Sequence, residues 1–401
     1  MTGGGLKRHA ALILLGCGFG AVFLTRNSLG YLNPFMAADL ALDPQRLGLL
    51  AAAFSLAWAL SGFAITALTL RVPQRVLLVA LLLALGLSSI AASFVPTFIA
   101  LFIARLAGGL CSGPLPPILQ SYAARIGSDA HRGLDMGVVQ GIGGGLFGTV
   151  LAPLILVPAA QRWNWREAFL VVAVATIVAA LLLARFLSRT SANAENRATK
   201  PSATGITRIA FAHAAGRRDL ALCCLISVAM IGWLFLSLTF YPTYLIDVRQ
   251  RSDAEMTTLM SVMGAGGLAT VFLVPWLSDR FGPRWIMVSC CLLGASSPAA
   301  LLAPHDSFVL LIAGMFAASF AGGTFPLFIG AIPSRAVTPE KLPLAIGLIQ
   351  GIGEVGGGTL APALAGWAAV HFNPAAPVQM VLGSALLAAL LSIALSQRRG
   401  T

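Results

Sequence analysis

The chain has 401 residues, 58% of them hydrophobic and 10% charged, against about 25% charged in soluble domains. Mean hydropathy is +0.87, which excludes a soluble enzyme. The net charge of +12 lies between apolar runs rather than clustered on a polar face, which argues against a nucleic-acid partner. An all-α integral membrane protein in contact with lipids is expected.

Spanning a bilayer takes about 20 apolar residues, and such stretches are predicted at 10–36, 46–70, 74–94, 97–123, 133–157, 166–187, 219–246, 254–277, 284–303, 307–332, 342–370 and 376–396. The first follows Lys7-Arg8-His9 and reads as a spanning helix, being too long for a signal peptide and lacking a small-residue cleavage site. Twelve spans put both termini on one side. Nineteen of the 26 Lys and Arg then fall in loops on that side, and only Arg46, Arg162, Arg166, Arg249 and Arg251 in the opposite loops. That bias assigns both termini to the cytoplasm of a multi-pass inner-membrane protein. Trp163 and Trp165 are expected to serve as interfacial belt residues. The polar stretch 188–217 is read as a cytoplasmic linker, with a short amphipathic helix near Ile206–Ala215, between six-helix bundles at 1–187 and 218–401.

The halves repeat each other. Gly137-Val-Val-Gln140-Gly-Ile-Gly143, with Thr149 and Pro153 following, recurs as Gly347-Leu-Ile-Gln350-Gly-Ile-Gly353, with Thr359 and Pro362 following, at an offset of about 210. Arg71 and Arg75 align with Arg280 and Arg284 at nearly the same offset. Six is even, so the repeats cross in the same sense.

Three ionisable residues fall at bilayer depth, where each costs roughly 2.5–3.5 kcal/mol on insertion scales and is retained for a cavity or a partner. Arg26 in helix 1 presents a planar fork suited to a carboxylate, or serves as a structural salt bridge or snorkelling arginine. Arg105 in helix 4 is expected to have a structural or gating role. Glu354, set among glycines in helix 11, is a candidate proton-coupling carboxylate or a structural partner of an arginine. Asn27, Tyr31, Gln140, Phe240, Tyr241, Tyr244 and Gln350 are candidate substrate-binding residues, with Pro242 a bend beside the aromatic trio. At least one of the two glutamines is expected to serve helix packing instead. Asp129 and Asp135 read as cytoplasmic latch residues. The five histidines are isolated and the glycine runs lie within helices, so no metal site, cofactor or nucleotide loop is expected.

Two resemblances follow. The parallel six-plus-six repeat, the Asp279-Arg280-Phe281-Gly282-Pro283-Arg284 loop and Arg105-Leu-Ala-Gly108-Gly109 with Gly113 resemble the major facilitator superfamily over essentially the whole chain. That resemblance implies a monomeric carrier with substrate held between its halves, and Asp279, Arg280 and Arg284 as a helix latch. The first-half loop departs from the pattern, with Leu70 where the acid belongs and Pro73 where the glycine belongs. Arg26-Asn27-Ser28-Leu29, Asp39 through Gly48, Pro242-Thr243-Tyr244-Leu245 and Ile332-Pro333-Ser334 resemble the anion:cation symporter family of organic anion carriers. Arg335 and Cys111-Ser112 depart from its usual residues. The expectation is a secondary transporter importing a small organic anion, a carboxylate, with protons by alternating access. The alternative is a proton-coupled antiporter exporting hydrophobic drugs or metabolites.

Overall fold

The computed structural model describes residues 3–69, 72–126, 132–190, 218–304, 307–338 and 341–396. Asp129, Leu70, Arg71 and the segment expected to hold the amphipathic linker helix lie outside them. The chain is helical throughout the described residues: α1 (Gly3–Met36), α2 (Pro44–Thr69), α3 (Gln74–Ser93), α4 (Phe98–Ile126), α5 (Asp135–Arg162), α6 (Trp165–Thr190), α7 (Arg218–Val248), α8 (Asp253–Phe281), α9 (Pro283–Leu302), α10 (Phe308–Ala336), α11 (Leu344–His371) and α12 (Ala376–Ile393). Eleven of these are long and apolar enough to cross a membrane. The twelfth, α2, has 26 residues, and the side chains of 63–69 lie outside those described.

Two compact units form, Met1–Ala41 with Leu56–Ala203, and Leu42–Ser55 with Thr204–Thr401. The division differs from a cut at the linker in one respect, because the first part of α2 groups with the second unit. Glycine is the physical reason. A Cβ on Gly48 would overlap the Pro362 carbonyl oxygen, and one on Gly366 would overlap that of Pro44, so the two backbones lie directly against each other.

In the first unit α1 is the central strut. Its Leu12, Leu15, Phe19 and Val22 pack in one core with Leu78, Leu82 and Leu85 of α3, Leu119 of α4 and Leu183 of α6. In the second unit α7 takes that place and is buried along most of its length.

The repeat read from sequence reappears as repeated backbone detail. Thr97 and Ser307 cap α4 and α10, each accepting a bond from the amide three residues on. Ser61 Oγ reaches the Gly109 carbonyl at 3.4 Å, and Thr270 Oγ1 reaches that of Ser319 at 2.9 Å. Ala41 and Gln250 hold left-handed backbone at φ 48° and 51°. Two residues after each, Asp43 and Ser252 cap α2 and α8.

Four stretches widen into π-helix: Gly141–Leu151, Tyr244–Val248, Leu327–Ala331 and Glu354–Leu360. Each adjoins a proline, Pro153, Pro242, Pro333 or Pro362. Pro153, Pro333 and Pro362 follow their stretches, so the carbonyl that each crowds four residues earlier lies inside the widened turn, which relieves both that clash and the missing donor; Pro242 instead precedes Tyr244–Val248. The first and last are repeat equivalents, so α5 and α11 share the same irregularity.

Candidate functional site

In the first unit the candidate residues gather on α1. Arg26 is only 5% exposed, and its guanidinium carbon stands 4.6 Å from the centre of the Trp58 ring of α2. Phe23 meets Trp58 edge-on at 5.9 Å and stacks on Phe19 at 5.2 Å. The result is an aromatic ladder with the guanidinium at one end, where a ring face attracts a cation most strongly once water is excluded. Trp58 is the residue sequence reasoning missed. Its only signal there was an aromatic in α2, indistinguishable from core.

Arg105 is buried beside this ladder, and its two terminal nitrogens donate to the Thr25 and Arg26 carbonyls at 2.9 Å each. It therefore ties α4 to the backbone that carries Arg26. Asn27, expected to meet substrate, instead donates to the Gly148 carbonyl at 2.8 Å. That carbonyl belongs to the widened stretch of α5, which is why it has capacity for a side-chain donor. Gly148 is required there, because a Cβ would stand 2.8 Å from Phe23 Cβ. Tyr31 is fully buried, and its hydroxyl has no hydrogen-bond partner among the described residues, a state that costs about 1–3 kcal/mol until an acceptor or donor arrives. Gln140 is exposed, so it does not serve helix packing.

At the ends of the unit the ties are ionic. Asp135 is 4% exposed and takes both bonds from Arg8 Nη2, at 2.7 and 2.5 Å, which fastens the start of α1 to the start of α5. Trp165 is buried rather than a belt residue. Its ring nitrogen donates to Asp39 at 2.8 Å, with Arg166 stacked above at 4.0 Å. Trp163, by contrast, is 61% exposed.

In the second unit α11 crosses α7 on glycine. A Cβ on Gly357 would overlap the Gly232 nitrogen and the Val228 carbonyl oxygen, and one on Gly353 would overlap Ser227, whose hydroxyl donates to the Ile349 carbonyl at 2.9 Å. Glu354 opens the widened stretch of α11 and is partly buried. Its Oε2 lies 2.6 Å, and Ser55 Oγ 3.3 Å, from where a Gly358 Cβ would stand. The carboxylate thus rests on bare backbone one turn along its own helix, with α2 beside it. Gln350 is exposed. Tyr241 is fully buried and its hydroxyl shares a hydrogen bond with Ser297 of α9 at 3.1 Å, which ties α7 to α9. Phe240 and Tyr244 are also buried.

The expected latch is not formed among the described residues. Asp279 is exposed and pairs with neither Arg280 nor Arg284. Those two guanidiniums lie over Phe281 and Trp285 instead.

No group of three or more metal-ligating side chains occurs among the described residues. A family model described as the Major Facilitator Superfamily matches residues 15–274 and 222–400. No curated protein matches the chain. Among solved structures, a bacterial homologue of the human lysosomal transporter Spinster, inward-facing and unoccupied, has a TM-score of 0.75 at 17% identity, with 97% of this chain and 96% of that chain covered. The occupied form of that homologue gives 0.74 at 16% identity over the same shares. A mutant of the nucleoside transporter NupG gives 0.76 at 15% identity, over 96% of this chain and 98% of that one. At these identities the likeness is one of fold.

Proposed function

Since the chain belongs to the major facilitator superfamily and is a transporter rather than an enzyme, we propose that it moves a small organic anion, a carboxylate, together with protons by alternating access. The observation that carries this reading is Arg26, a cation kept 5% exposed within a spanning helix. Its guanidinium carbon stands over the Trp58 ring, and Arg105 grips its backbone. A guanidinium so held loses little freedom on meeting a carboxylate, which its fork can engage with two parallel bonds. Tyr31, with its uncommitted buried hydroxyl, is the second substrate contact, and the exposed Gln140 and Gln350 supply further polar groups. Glu354 carries the proton. Its seat on Gly358, in a stretch of widened helix, lets the carboxylate move with small changes of backbone.

Further parts of the proposal rest on charge distribution and family architecture. Cytoplasmic termini and an inner-membrane location rest on the arginine bias, while import into the cell and a monomeric carrier rest on the family resemblances. The test is uptake into proteoliposomes of a panel of radiolabelled carboxylates, amines, nucleosides and lipophilic cations. Arg26→Ala is expected to lower kcat/KM for a carboxylate by about 100-fold and Arg26→Lys by about 10-fold. Carboxylate uptake at the wild-type rate and affinity in both variants would sink the proposal. Transport restricted to lipophilic cations and abolished only by Glu354→Gln would establish the export alternative.

A further inference from the structure

The turn between α8 and α9 carries charge and aromatic surface that the transport reading leaves unused. α8 ends in Asp279-Arg280-Phe281, Gly282 reverses the chain at a φ of 91°, and Pro283-Arg284-Trp285 opens α9. Three rings around this turn face away from the fold, with Trp276 57% exposed, Phe281 60% and Trp285 52%. Arg280 stands 5.9 Å from the Phe281 ring centre and Arg284 5.3 Å from that of Trp285. Arg280 is exposed and Arg284 half-buried. Guanidiniums take phosphate oxygens in a two-pronged fashion, and indole rings settle at the depth of lipid headgroups.

We propose that this turn binds the phosphate of an anionic phospholipid, with Arg280 and Arg284 as donors and the rings of Trp276, Phe281 and Trp285 seating the glycerol backbone and the first acyl carbons. A bilayer lipid is the occupant rather than a soluble phosphate, because only a lipid brings apolar surface to cover three exposed rings. The two cations favour phosphatidylglycerol, whose headgroup carries a net negative charge, over zwitterionic phosphatidylcholine.

The experiment is a native mass-spectrometry titration of the purified full chain with phosphatidylglycerol, phosphatidylcholine and phosphatidylethanolamine, and with inorganic phosphate alone. Phosphatidylglycerol is expected to bind more tightly than phosphatidylcholine by about five-fold for each guanidinium, or roughly 25-fold in all. That preference disappears in Arg280→Gln/Arg284→Gln and persists in Arg335→Gln, which removes another exposed arginine of the same unit. Trp285→Leu weakens all three lipids alike. Equal binding of the three lipids, a preference that survives the double substitution, or saturation by inorganic phosphate alone would overturn the site. Should the double variant melt lower than wild type without lipid, Arg284→Gln alone decides: about a five-fold loss supports the site and no loss overturns it.

Discussion

At the scale of single residues, two arginines in the first unit divide the labour. Arg105 is spent on backbone: two charge-assisted bonds to neighbouring carbonyls of α1 make it part of the frame. Arg26 is presented by that frame, and its guanidinium carbon stands over the Trp58 ring. The two roles predict different losses. Arg105→Ala should lower the melting temperature by about 5–10 °C, as expected for two lost charge-assisted bonds. Trp58→Leu should leave the melting temperature within about 3 °C of wild type and raise the KM for the transported carboxylate roughly 5- to 10-fold, with Trp58→Phe in between. An unchanged KM in Trp58→Leu would remove the indole from the account. Glu354→Gln is expected to abolish the acceleration of uptake by an inward proton gradient while leaving substrate exchange across the membrane intact. Uptake by Glu354→Gln that still follows the gradient would place coupling elsewhere.

At the scale of elements, glycine decides where helices touch. α7 and α11 meet backbone to backbone at Gly232 and Gly357, a closeness that rewards dispersion between main chains where lipid offers no hydrophobic drive. Gly357→Ala is therefore expected to destabilise by 2 kcal/mol or more, since the obstructing atoms are backbone and cannot turn away. Gly383→Ala, on an open face of α12 with nothing within 4 Å of the added carbon, should be neutral or raise the melting temperature slightly. A thermal melt of the two variants separates these outcomes. The elements themselves were legible in the sequence: all twelve apolar stretches correspond to helices, most ending within a few residues of the expected bounds. A spanning helix announces itself by length and hydropathy alone. Side-chain partners were less legible, and for a physical reason. Asn27 is a substrate candidate by composition and a helix tie by geometry, because the carbonyl of Gly148 becomes available only once α5 widens. The ion pair of Arg8 with Asp135 spans two helices far apart in sequence, and no local pattern encodes it. Asp279 and Arg284 show the converse, a motif recognisable by spacing whose members do not meet in this structure.

At the scale of the whole molecule, the arginine bias makes an orientation prediction that the fold leaves open. With the six native cysteines replaced, a single cysteine at Lys341 should react with an impermeant maleimide only from the cytoplasmic side, and one at Gln250 only from the opposite side. Reaction in the reverse sense would invert the topology. The duplicated plan of the chain shows most clearly in its turns. Ala41 and Gln250 share a left-handed backbone that neither side chain favours, at a cost of about 1 kcal/mol each. The caps that follow, Asp43 and Ser252, differ too. What the two halves have in common at these points is thus a shape rather than a spelling. A descendant of the same ancestral half could retain no recognisable letter of it and still be identified by a backward-coiled residue placed two positions ahead of a helix cap.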